Sequence, residues 1–432
     1  MSEYTGYEGK SLEFLKTKKI SIGDSVKILA DITYSGIVMP RYEHSDDKHI
    51  VLKLKSGYNI GLEISKIEKI EKNQTSEKNQ TSEKNVEKIK KNEKLPKILL
   101  LSTGGTIASK IDYRTGAVTP VLTAEELNSS VPELAKIANI DTKVLFSEYS
   151  ENIMPEHWLK IAQTVDEYSN SDYTGIIIAH GTDTMHYTSS YLSFSLAGFQ
   201  IPIALVGSQR SSDRASSDAA LNLIGAVKFL TECKTNGIYI VMHQDENDET
   251  IACHTGTRVR KNHTSKRGAF QTIGRDPAFL IVNNEIHSNM KDDFFTINEY
   301  TPKIKINEKV ALVKYYPGYD PTMLKNIIDA GYKAIVFEGT GLGHIGENMY
   351  PIVKMANEKG IFMGMTSQCI DGRVRMTVYE SGRDLLDLGI IPLKNMIPEI
   401  ALVKAMWATG NTENREEIKE TMLNKIASEF ST

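Results

Sequence analysis

Short apolar runs closed by glycine alternate along this chain with stretches whose apolar residues recur every three or four positions. Two runs stand out. One is Ile98-Leu99-Leu100-Leu101-Ser102-Thr103-Gly104-Gly105-Thr106-Ile107-Ala108-Ser109, and the other is Ile176-Ile177-Ile178-Ala179-His180-Gly181-Thr182-Asp183-Thr184. Each is short, almost wholly apolar and ended by glycine, which predicts a strand buried in a parallel sheet. Residues 144–146, 201–207 and 237–242 predict further strands. Between them, residues 156–168 place Trp158, Leu159, Ala162 and Val165 on one helical stripe. Residues 218–230 do the same with Ala219, Leu223, Ala226, Val227 and Leu230. Such alternation predicts an α/β fold with a doubly wound parallel sheet. Residues 308–410 repeat the theme on a smaller scale, with strands at 310–313, 334–337 and 361–365 and a helix at 399–410. From Asn411 onward the chain is charged and expected to be helical.

The first 70 residues follow another pattern. Four short alternating segments, at 26–30, 36–40, 50–54 and 59–64, are separated by polar turns such as Lys55-Ser56-Gly57-Tyr58. A small β-barrel is the expectation, serving either as a docking module or as a stabilising appendage. Residues 71–94 repeat Glu-Lys-Asn-Gln-Thr-Ser and hold no aromatic residue. Such a tract buries too little apolar surface to offset its ordering entropy, so a flexible tether is expected. The expected layout is a barrel over 1–70, the tether over 71–94, an α/β domain over 95–300 and a second over 301–432.

The chain has 432 residues, too many for a single compact core. With 51 Lys+Arg against 55 Asp+Glu, it carries no basic field able to hold nucleic acid by itself. Cys233, Cys253 and Cys369 are scattered without CxxC spacing, which predicts buried free thiols in a reducing cytoplasm. The opening residues lack a basic and apolar leader pattern, and no apolar stretch approaches the ~18 residues of a membrane span.

Ligands of open α/β sheets bind just beyond the carboxyl ends of the strands. Thr106, Thr182 and Asp183 would stand at that rim. A single Gly-Gly-Thr is more often a plain turn with a helix cap, but two such turns with an adjacent Asp invite an amide-hydrolysing site. Glu338-Gly339-Thr340-Gly341-Leu342-Gly343-His344-Ile345-Gly346 is not a phosphate loop, because no Lys-Ser/Thr follows it. His243-Gln244-Asp245-Glu246-Asn247-Asp248-Glu249 lacks the glycine of a calcium loop and a second zinc-spaced histidine, so a solvated acidic loop is expected.

With Thr-Gly-Gly-Thr-Ile-Ala at 103–108, His-Gly-Thr-Asp-Thr at 180–184 and Arg260-Lys261-Asn262-His263-Thr264 ahead of Ala269-Phe270, the chain resembles the bacterial-type L-asparaginase family. It is similar in particular to the branch formed by D subunits of archaeal-type glutamyl-tRNA(Gln) amidotransferases. The carriers include the N-terminal segment 36–43, the loop 338–344, Thr366-Ser367-Gln368-Cys369 and Pro398-Glu399-Ile400-Ala401-Leu402-Val403-Lys404.

The resemblance implies an asparaginase-like two-domain fold and a glutaminase, also acting on asparagine to an extent left open, that releases ammonia. A partner E subunit would bind Glu-tRNA(Gln) and use ATP and Mg2+, two of each subunit assembling as a dimer of heterodimers. No cofactor or metal is implied on this chain. Thr106 would be the acylated nucleophile, with Thr182, Asp183 and Lys261 as its activating set, since a threonine hydroxyl must lose its proton to a neighbouring base. Tyr113 would sit on a mobile loop over Thr106. Ser150 and Glu151 would hold the substrate's α-groups, Glu151 standing where ordinary asparaginases commonly have glutamine. A free-standing cytoplasmic asparaginase and a non-catalytic docking scaffold remain as competing readings.

Overall fold

The computed structural model describes residues 4, 6–41, 46–54, 59–72, 92–105, 109–112, 117–120, 127, 131–210, 217–290 and 299–431. Five strands form the N-terminal sheet: Ser25–Leu29, Thr33–Val38, His49–Leu54, Asn59–Glu63 and Lys69–Lys72. All pair antiparallel, with Asn59–Glu63 at one edge and Lys69–Lys72 at the other. The two edges do not pair among the described residues, so the expected barrel is instead an open sheet. The reason is the last strand's choice of neighbour. A 3-10 turn at Ile64–Lys66 carries the chain past its hairpin partner, and Lys69–Lys72 adds beside Ser25–Leu29. A helix the pattern did not reveal, Gly9–Thr17, drops Leu15 into a core with Tyr7, Ile20, Val26, Ile28 and Ile50.

Glu71 and Lys72, the first residues of the expected tether, belong to that edge strand. Residues 73–91 of the tract lie outside the described residues. At its far end Asn139 Nδ2 donates to the carbonyls of Asn92 and Leu95, seating the chain before the next strand.

The larger half is built on eight strands. In spatial order they are Glu285–Ser288, Phe279–Val282, Thr250–Thr255, Gly237–His243, Pro202–Val206, Gly175–Ala179, Lys97–Gly104 and Asn139–Glu148. The last five run parallel and the first three join antiparallel, so the sheet is mixed rather than wholly parallel. The segments 98–101 and 176–179 are buried throughout, as two-sided strands require. The predicted helices form at Pro155–Asp166 and Ala219–Glu232, and a third, Met185–Ser195, starts just beyond the second glycine turn.

The C-terminal half carries four parallel strands, Val310–Lys314, Ala334–Gly339, Phe362–Ser367 and Ile391–Pro392. Its helix Pro398–Asn411 is buried along nearly all its length and packs on the Met185–Ser195 helix. Phe194 and Trp407 stack across this seam with centroids 5.8 Å apart. One apolar cluster includes Leu99 and Ile178 from the first half and Val336 and Phe362 from the second. A core that crosses the seam resists relative sliding, because close-packed side chains have few alternative arrangements. The charged segment after Asn411 forms the helix Arg415–Leu423, capped by Asn414.

Only Cys253 of the three cysteines is buried; Cys233 is half-buried and Cys369 exposed. None of the described helices is long and apolar enough to cross a membrane.

Candidate active site

The strands Lys97–Gly104 and Gly175–Ala179 are parallel neighbours in register, Ala179 opposite Ser102. Their two turns therefore emerge side by side. Thr103 Oγ1 donates to the Ala179 carbonyl at 2.9 Å. Gly104 and Gly105 have φ of +116° and +79°, values that L side chains rarely adopt. A Cβ on Gly105 would lie 2.8 Å from the Gly181 nitrogen. Only a residue without a side chain lets the first turn nest on the second.

Lys261 arrives from elsewhere. It ends the three-residue strand Val259–Lys261, which pairs with Phe270–Thr272 apart from the main sheet. Its Nζ donates to Thr182 Oγ1 at 2.8 Å and to Asp183 Oδ1 at 2.6 Å. Ser150 Oγ donates to the other Asp183 oxygen at 3.5 Å. Thr184 Oγ1 donates to the Ser150 carbonyl at 2.6 Å, tying that loop to the second turn. A Cβ on Gly181 would meet Ser150 Cβ at 2.7 Å, so this loop too depends on glycine for its approach. Ser150 is buried and Glu151, beside it, is exposed. Thr106 and Tyr113 lie outside the described residues.

His180 is wholly buried under the turn. Its Nδ1 lies 2.7 Å from the Gly181 carbonyl and its Nε2 2.8 Å from Thr188 Oγ1. The carbonyl can only accept, so Nδ1 carries the proton and Nε2 accepts from Thr188. Burial lowers the His180 pKa to about 4, against the opposing pull of the Gly181 carbonyl. His186 is likewise lowered to about 4, by burial first and then by the charges of Arg260 and Lys261. Both imidazoles are therefore neutral at pH 7.

The acidic loop departs from its expectation at one end. Asp245 to Glu249 are exposed, but His243 is buried, with Nδ1 2.6 Å from Asn222 Oδ1. Asp248 pairs with Arg267. Among the described residues no group of three or more His, Cys, Asp and Glu side chains is placed to hold a metal ion.

Residues 97–293 match the model described as Asparaginase, N-terminal, and residues 309–422 match the Glutaminase/Asparaginase C-terminal domain. Residues 20–72 match the GatD N-terminal domain. Over 426 residues the chain is 45% identical to the glutamyl-tRNA(Gln) amidotransferase D subunit of Pyrococcus abyssi, and the alignment covers 97% of each chain. This chain belongs to the family of glutamyl-tRNA(Gln) amidotransferase D subunits. The D subunit of Pyrococcus horikoshii is 46% identical over the same share of both chains. Among solved structures, the thermostable L-asparaginase from Thermococcus kodakarensis matches with a TM-score of 0.69 and 34% identity, covering 78% of this chain and 99% of that one. The two larger halves thus share the asparaginase-like α/β fold. The N-terminal sheet falls instead under the GatD model, and so marks the chain as a D subunit.

Of the residues expected at the site, Ser150, Thr182, Asp183 and Lys261 are linked by hydrogen bonds in this D-subunit fold. His180, Thr184 and Arg260, which also border it, carried no assigned role in the sequence. His180 directly precedes the Gly-Thr-Asp turn, yet nothing in a linear pattern shows that its ring folds back onto that turn.

Proposed function

We propose that this chain is the glutaminase subunit of a Glu-tRNA(Gln) amidotransferase, supplying ammonia for conversion of Glu-tRNA(Gln) to Gln-tRNA(Gln) in the cytoplasm. The observation that carries the reading is the Lys261 amine, held between Thr182 Oγ1 and Asp183 Oδ1 beside the glycine turn that leads to Thr106. In this reading Thr106 Oγ attacks the carboxamide carbon of glutamine. Its proton passes through Thr182 and Lys261 to the departing nitrogen, which leaves as ammonia. Water then attacks the threonyl ester, releases glutamate and returns a proton to Thr106. Backbone N–H groups of the glycine turns stabilise the oxyanion.

Ser150 donates to the substrate's α-carboxylate, and Asp183 and Glu151 pair with its α-ammonium. Tyr113 closes over the nucleophile. Asparagine enters the same site, and its turnover relative to glutamine is read by measurement. ATP and Mg2+ belong to the partner E subunit, which holds Glu-tRNA(Gln) and receives the ammonia. The near-neutral charge of this chain and its lack of a phosphate loop support that division. The assembly in this reading is a dimer of heterodimers.

The test is ammonia release from glutamine by the chain alone, with the E subunit, and with E subunit and Glu-tRNA(Gln). Stimulation by both is the expected result. Turnover of asparagine indifferent to either addition would favour a free-standing asparaginase. Full amidation by a Thr106→Ala/Thr182→Ala variant, with glutamine as sole nitrogen donor, would favour a scaffold.

A further inference from the structure

The strand that presents Lys261 is only three residues long, and its one sheet partner is equally short. Hydrogen bonding within so small a ladder is a weak hold. Side chains of the other half of the molecule add to that hold. Arg260, the residue before Lys261, places Nε 3.0 Å from Glu399 Oε1. Glu399 stands in the first turn of the Pro398–Asn411 helix, where the helix dipole favours a carboxylate. It is only 8% exposed, and among the described residues its second oxygen, Oε2, has no hydrogen-bond partner. A carboxylate so enclosed depends on the cation beside it, because leaving it unpaired is costly.

Two residues before Arg260, Arg258 reinforces the hold. It is fully buried, and its Nη1 donates to the carbonyls of Asn395 and Glu429, both in the C-terminal half. The Met185–Ser195 helix, which begins one residue after Thr184, packs against both the Val259–Lys261 strand and the Pro398–Asn411 helix. The helix pair therefore spans from Thr182 and Asp183 on one side to Arg260 on the other.

We propose that Glu399 is a positioning residue: by gripping Arg260 it fixes the strand that presents Lys261 to Thr182 and Asp183, making the C-terminal half a determinant of the site's geometry. The proposal rests on the amidohydrolase reading for its kinetic consequence only. Glu399 touches no reacting atom. Its effect falls on proton transfer through Lys261; Asp183, the α-ammonium contact that Lys261 also holds, keeps its hydrogen bond from Ser150 Oγ.

Glu399→Gln keeps the size of the side chain and an acceptor for Arg260 while removing the charge, and Arg260→Gln removes the cation. In the full chain bound to its E subunit, each variant is expected to lower kcat for ammonia release about ten- to a hundredfold with KM within about twofold, the scale of a misplacement near 1 Å. The double variant should lose no more than the worse single one, because each removes the same link. Crystal structures of the variants should show Lys261 Nζ beyond hydrogen-bond distance of Thr182 Oγ1. Unchanged kcat in either folded variant, multiplied losses in the double, or an undisturbed Lys261 would overturn the proposal. If the parent protein released no ammonia from glutamine or asparagine, the amidohydrolase reading would fail, and the Lys261 position in the variant crystals would still decide for or against the latch.

Discussion

Lys261 and Asp183 form an ion pair of 2.6 Å in which the lysine side chain is 9% exposed and the aspartate 65%. The asymmetry assigns different tasks. The enclosed amine faces the hydroxyl of Thr182, while the open carboxylate faces the solvent side, where a substrate's ammonium would arrive. Lys261→Met should lower kcat for ammonia release by about 10²–10⁴, the usual worth of a positioned proton carrier. Asp183→Asn should raise KM as well, since it removes a binding charge along with the partner of Lys261. Steady-state kinetics with glutamine and with asparagine separate the two patterns.

Gly181→Ala tests the approach of the Ser150 loop. The new methyl would meet Ser150 Cβ at 2.7 Å and its Oγ at 3.0 Å. The Ser150 loop must shift, and the contact that the α-carboxylate would use shifts with it. The expected result is a rise in KM larger than the fall in kcat, with the melting temperature lowered by a few degrees, as about 1 kcal/mol of strain produces. Equal KM for parent and variant would argue against Ser150 as an α-carboxylate donor.

Lys404 and Glu429 are paired at 2.5 Å with neither side chain exposed. Burial lowers the Lys404 pKa, and the charge of Glu429 pulls it back up. Lys404 also donates to the carbonyls of Met422 and Asn424, while Glu429 accepts from the Ile426 and Ala427 amides. Lys404→Met should destabilise the fold by about 3–5 kcal/mol, because it strands a buried carboxylate. Lys404→Met/Glu429→Gln should regain more than half of that loss, since glutamine still accepts from both amides without a charge. Urea unfolding of the three proteins reads the difference.

Acid should weaken the fold well before carboxylates titrate. His180 and His186 are lowered from 6.5 to about 4, and His254 to about 3, all chiefly by burial. Because the folded values lie below the unfolded one, the unfolded chain binds protons first as pH falls. The stability these rings contribute is complete above pH 6.5 and drains away as pH drops toward 4. Each histidine within that window costs about 1.4 kcal/mol per pH unit. A urea midpoint that is flat between about pH 7 and pH 5 would contradict this coupling.

The glycine-closed apolar runs made the central strands legible, because burial on both faces leaves no polar alternation to confuse the reading. The convergence of Thr182, Asp183 and Lys261 was legible only through family motifs; 78 positions separate the aspartate from the lysine, and no local pattern records a contact of that span. Three features lay outside sequence reach. Residues 59–63 suit the closing strand of a barrel and the rim of an open sheet alike, and the edge strand Lys69–Lys72 carries no pattern that separates it from the polar tract it runs into. The helix Gly9–Thr17 has a weak apolar stripe that only its packing under the sheet explains. The Arg260–Glu399 pair joins two residues in different halves, each of which alone reads as an ordinary surface charge.

Because the Met185 and Pro398 helices meet along one seam, heredity must treat the two halves as a unit. A hybrid gene joining residues 97–293 of this chain to the C-terminal portion of a distant relative would inherit mismatched knobs at Phe194 and Trp407 and a displaced carboxylate opposite Arg260. Substitutions on one side of that junction are therefore expected to spread only in company with answering changes on the other.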